Sequence, residues 1–105
     1  MNYCKKVIHV LLSCCDAVYH NEANQEKGNY IIWHEVGVNS MYADNSRAEK
    51  ADRIAVDFFT KEEFPDIPEK LERAFSCHGM AFQGPEIIYH EITKVKQYAY
   101  TIEVI

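Results

Sequence analysis

Apolar residues recur at two different periods along this chain, and the change of period separates its elements. Cys4, Val7, Ile8, Leu11, Leu12 and Cys15 fall at the i, i+3, i+4, i+7, i+8 spacing of an amphipathic helix. Lys5, Lys6, His9, Ser13 and Asp16 fill its other side, and Asn2 stands where a side-chain oxygen can cap the first free N–H groups. Val18 and Tyr19 continue the stripe, so periodicity allows the helix to run to about His20. The β-prone residues 17–20 serve equally as a short strand after a turn at Asp16.

Further on, the period drops to two. Residues 30–36 are rich in β-branched and aromatic side chains and predict a strand. Over 53–60, Ile54, Val56 and Phe58 alternate with Ala55, Asp57 and Phe59, so the Asp57 face should be partly wet. Tyr98, Tyr100, Ile102 and Val104 alternate in the same way over 98–105. Between these strands a helix is predicted over 67–75, with Ile67, Leu71, Ala74 and Phe75 on its core stripe. Asp66 is its expected cap, Pro68 fits its first turn, and Gly79 ends it in a left-handed conformation.

Polar residues mark the connections. Residues 21–29 end in the turn signal Gly28-Asn29, and 37–52 form a long polar loop whose tail, from Ser46, has the composition of a helical turn. After Gly79 come a short apolar run at 80–82, an expected turn at Gly84-Pro85, and an apolar run over 86–93. That run should pair with 98–105 as an antiparallel hairpin. The sum is an α+β fold: an antiparallel or mixed sheet of four to five strands with two helices packed on one face, in a single domain over residues 1–105. Two short helices shelter one sheet face only. The strands carry large apolar groups on both, Phe59 opposite Phe58 and Ile88 opposite Ile87 and Tyr89. Apolar area left over in this way marks an interaction surface, and self-association is expected.

Composition narrows the function. An apolar fraction of 48% and a charged fraction of 26% are those of a folded domain. With 16 acidic against 11 basic residues and a net charge of −5, specific nucleic-acid binding is not expected, since phosphate neutralisation needs clustered Lys and Arg. No apolar run approaches the roughly 20 residues of a membrane span. Lys5-Lys6 followed by an apolar stretch faintly mimics a secretion signal, but His9, Ser13 and Asp16 interrupt it. A reducing cytoplasm is the expected setting, with Cys4, Cys14, Cys15 and Cys77 as free, buried thiols.

Candidate chemistry is sparse. The cysteines form no C-x-x-C pair, and the glycines are too scattered for a phosphate loop. His34-Glu35 and His90-Glu91 are adjacent pairs that a strand would point to opposite faces, so neither chelates one ion. A joint site remains open if His34 and His90 lie on neighbouring strands. Ser76-Cys77-His78 sets nucleophile and base side by side at a helix end, where nucleophilic catalysis would need them on separate elements. No catalytic, cofactor or metal residue is assigned, and the expectation is a protein that is not an enzyme.

The middle of the chain resembles the small tail-completion, or tail-terminator, proteins of siphophages and Gram-positive prophages. The resemblance is carried by Tyr30-Ile31-Ile32-Trp33, by Ser40-Met41-Tyr42-Ala43-Asp44-Asn45 and by Asp52-Arg53-Ile54-Ala55-Val56-Asp57-Phe58-Phe59-Thr60-Lys61. Asp66-Ile67-Pro68-Glu69-Lys70-Leu71 and the closing run from Tyr98 to Val104 continue it, so that about three quarters of the chain takes part. The resemblance implies an N-terminal helix leading into a short strand. It implies subunits that form a homo-oligomeric ring, typically a hexamer, at the head-proximal end of the tail tube. Tail-tube and head–tail connector proteins are the implied partners, with no cofactor, first in the host cytoplasm and then in the virion. A net negative charge also suits a ring through which DNA passes. Trp33 and Phe59 on the sheet and Tyr42, Asp44 and Asn45 in the loop are the expected contact residues. The rival readings are a neck or head-closure component, a dimeric α+β module that binds a host protein, and a small enzyme using His34 or His90.

Overall fold

Residues 3–22, 28–38 and 52–104 are described in the computed structural model of this chain. Helix α1 (Tyr3–Leu12) leads into a short strand β1 (Val18–His20), followed by β2 (Tyr30–Val38) and β3 (Asp52–Thr60). Helix α2 (Ile67–Cys77) then precedes β4 (Ala81–His90) and β5 (Val95–Val104). Among the described residues the sheet has five strands in the order β1-β2-β3-β5-β4. It is mixed, since β1 runs parallel to β2 while the other neighbours are antiparallel. This is the α+β class that the periodicity predicts.

Of the two readings of residues 17–20, the strand is the one that forms. The Ser13 hydroxyl donates to the Val10 carbonyl at 2.6 Å, and the Cys15 N–H reaches Leu11, closing the last turn of α1. The Ile31 N–H then donates to the Ala17 carbonyl at 2.8 Å, opening the ladder that sets Val18 opposite Ile31. Helical periodicity in Val18 and Tyr19 is outweighed by pairing with a strand that lies distant in sequence.

Cross-strand register sorts the side chains onto two faces. Phe58 of β3 lies between Ile31 of β2 and Tyr98 of β5, Val56 lies between Trp33 and Tyr100, and Ile54 faces Ile102. These residues join Val7, Val10 and Leu11 of α1 and Leu71 and Phe75 of α2 in one buried cluster. Each fully buried aliphatic or aromatic side chain there contributes roughly 1.5–3 kcal/mol. Tyr100 is buried with its hydroxyl donating to Glu72 Oε2 at 3.0 Å, which fastens α2 to the sheet. Burial and the neighbouring carboxylate push its ionisation well above the usual range.

Four local expectations need correction. Gly84-Pro85 is not a turn: it lies inside β4 as a bulge, with a cis peptide, where the register shifts between Gln83 and Glu86. The strand read over 86–93 ends at His90, and residues 91–94 make the turn, closed by Lys94 N–H to His90 carbonyl at 2.8 Å. Asp66 makes no side-chain cap bond, because it already has helical φ and ψ; its carboxylate lies 3.7 Å from Lys70 Nζ instead. Cys77 is exposed, since α2 turns it away from the sheet, whereas Cys15 is buried as expected.

Gly79 does end α2. With φ +71 it lets its own N–H reach the Ser76 carbonyl and the Met80 N–H reach the Phe75 carbonyl, a Schellman closure that also buries Met80.

Candidate interaction surface

Both helices lie on one face of the sheet, so the other face is built from the alternate residues of every long strand. Tyr30, Ile32 and His34 of β2 lie beside Phe59, Asp57 and Ala55 of β3, followed by Gln97, Ala99 and Thr101 of β5 and Ile88 and Glu86 of β4. No element among the described residues packs over them, and most are half-buried by their neighbours alone.

At one end of this open face the surface is apolar and shaped. Tyr30 stacks on Phe59 with ring centroids 4.9 Å apart and planes 14° from parallel, and Tyr19 meets Tyr30 edge-on at 6.5 Å. Tyr30, Ile32 and Phe59 form one wall of an open groove of about 790 Å³. His90, Ile92 and Val95 from the β4–β5 hairpin also line it, as does Lys61.

A chain of polar side chains crosses the middle. His90 Nε2 and Gln97 Oε1 are 2.9 Å apart, and Gln97 Nε2 donates to Asp57 Oδ1 at 3.2 Å. Burial raises the Asp57 carboxyl above its ordinary value, while the Gln97 hydrogen bond and the charge of His34 pull it partly back. Gln97 bridges His90 and Asp57, meeting the first through its oxygen and the second through its amide nitrogen.

The far half of the β4–β5 hairpin is bare on both sides. By register Ile87 and Tyr89 share the helix-covered face with Tyr98 and Lys96. The helices do not reach them, for Ile87 is 56% and Tyr89 54% exposed. Ile88, on the open face, is 36% exposed, and Ile92 at the turn is 96% exposed. This exposed apolar surface is continuous with the groove, through Ile92.

At the opposite edge of the sheet His20 Nε2 lies 2.8 Å from Glu35 Oε1, and its ring stacks on Trp33 at 4.1 Å. The His20 contact is the main reason the Glu35 carboxyl lies below its ordinary value. Both partners are well exposed, so the pair orders β1 against β2 more than it stabilises the fold.

The expected contact residues separate. Phe59 stands on the open face, in the groove wall. Trp33 does not, being 3% exposed in the helix-covered core. The cause is the parity of β2, which puts Trp33 in line with Ile31 and Val56. Tyr42, Asp44 and Asn45 fall outside the described residues. His34 and His90 do not meet, because β3 and β5 lie between their strands. Ser76, Cys77 and His78 do not converge either, and the His78 ring turns back to the Ala74 carbonyl at 2.9 Å. Tyr30 and Ile92 line the groove beside Phe59, and Gln97 lies on the same open face; the strand alternation that puts Tyr30 and Gln97 there is legible in the sequence. No known protein family matches the sequence, and no curated protein is significantly similar to it.

Proposed function

We propose that this chain is a non-enzymatic virion-assembly protein of a phage or prophage, a tail-terminator or tail-completion component. It assembles as a homo-oligomeric ring at the head-proximal end of the tail tube and joins the tube to the head connector, in the host cytoplasm and then in the finished particle. The observation that carries the reading is apolar surface in excess of what two helices cover: the Tyr30–Phe59 groove and the bare hairpin at Ile87, Tyr89 and Ile92. A subunit built to be covered by its neighbours keeps such surface, and a closed ring covers it symmetrically. The order of the motifs between Tyr30 and Val104, which resembles the tail-completion proteins, supplies the particular assembly.

The test is deletion of the gene from the phage or prophage that encodes it, with electron microscopy of the particles produced. Unjoined tails or tails of uncontrolled length, restored by supplying the wild-type chain, are the expected outcome. Particles of normal structure and infectivity without the chain would end the proposal.

A further inference from the structure

The outer edge of β4 presents backbone that no described strand pairs. Among the described residues β4 is an outermost strand of the sheet, and beyond the bulge at Gly84-Pro85 its register is unbroken from Glu86 to His90. Edge strands are normally blunted by Lys, Pro or a bulge. Here Pro85 and the bulge guard one end and the turn after His90 guards the other, while the five residues Glu86-Ile87-Ile88-Tyr89-His90 between them carry no such device.

We propose that two copies of this chain pair edge to edge through β4, antiparallel, about a two-fold axis passing through Ile88. In that register Glu86 stands opposite His90 of the second copy, and His90 opposite its Glu86, so a carboxylate meets an imidazole twice. Ile87 stands opposite Tyr89 on the other face, and Ile88 opposite itself. Directly opposed side chains in an antiparallel pair lie about 5 Å apart, close enough for each of these contacts.

The segment selects this register among its neighbours. Opposed residues must share a face if the two open faces are to form one surface, so the axis moves by whole residues. Shifting it to Ile87 sets Glu86 against Ile88 and draws Pro85, which has no N–H, into the ladder. Shifting it to Tyr89 sets His90 against Ile88 and reaches into the turn. Only the axis at Ile88 matches acid to base and apolar to apolar along the whole free segment. The two sheets then run on as one, and the pairing covers Ile87, Ile88 and Tyr89, which the free subunit leaves 56%, 36% and 54% exposed. This pairing concerns the free protein and is tested separately from the virion role: it uses Ile87, Tyr89 and His90 of the surface invoked there, and its register involves neither Tyr30 nor Phe59.

Sedimentation equilibrium of the purified full-length chain tests it. Wild type is expected to be a dimer at micromolar concentration. Ile88→Lys sets two ammonium groups against each other on the axis and is expected to give a monomer whose circular-dichroism melt is unchanged. Glu86→Lys and His90→Glu are each expected to weaken the dimer by about tenfold or more, and the double variant, which re-pairs the charges, to restore it. A wild-type monomer at high micromolar concentration would overturn the pairing. So would an Ile88→Lys dimer, or a double variant no tighter than the singles. A ring-sized species indifferent to Ile88→Lys would overturn it while leaving the virion proposal intact. Normal particles from the gene deletion, beside a dimer that Ile88→Lys dissociates, would do the reverse.

Discussion

Gly84 has φ +107, and a Cβ added to it would stand 2.6 Å from the Ala99 carbonyl oxygen. Both the backbone conformation and the close approach of β5 exclude a side chain. Gly84→Ala is therefore expected to cost about 2 kcal/mol or more, read as a lower midpoint in urea unfolding. Asp57 makes the opposite kind of prediction. Its folded-state carboxyl titrates above the ordinary 3.8 because of burial, so the folded protein binds the extra proton in the window between the two values. Stability falls as pH rises through that window, and at neutral pH the buried charge is a penalty. Asp57→Asn keeps an acceptor for the Gln97 amide and removes the charge. It should raise the thermal midpoint at pH 7, and the gain should shrink as pH falls and vanish well below the ordinary 3.8, where Asp57 is neutral in both states.

Elements were legible in proportion to how local their causes are. The alternation of Ile54, Val56 and Phe58 is a local pattern, and β3 forms where it says. Gly79 is a local stop signal, and it closes α2 through two carbonyls. Gly79→Ala should destabilise the protein by about 1 kcal/mol without altering the fold, measurable as a shift in denaturant midpoint. Residues 17–20 and 84–85 were not legible in the same way. Val18 and Tyr19 satisfy both periods, and pairing with β2 decides between them. Gly84-Pro85 has turn chemistry, yet the β5 strand alongside carries the chain straight through it as a bulge.

For the whole molecule, the balance between core and uncovered surface is what the proposed assembly rests on. The core cluster of α1, α2 and one sheet face is closed, with Val7, Ile54, Phe58 and Phe75 fully buried. Ile92, at the opposite extreme, is 96% exposed and contributes nothing to that core. Ile92→Asp should leave unfolding free energy within about 0.5 kcal/mol of wild type. If the hairpin and groove are where neighbours dock, the same variant should fail to restore particle assembly in the gene-deleted phage. Full complementation by Ile92→Asp would show that this part of the surface is not used.

The amino-acid pattern by itself determined the α+β class, the two helices, the long strands and the excess of apolar residues over sheltering helix, because each follows from periodicity and turn chemistry within a few neighbouring residues. Which apolar residues are left over was decided only in three dimensions. Trp33 and Ile88 are both large apolar strand residues in sequence. Strand order and helix reach bury the first beneath α1 and α2 and leave the second on the outermost strand. Strand order depends on pairings between residues far apart in the chain, such as Ile54 with Ile102, and no local window contains both partners.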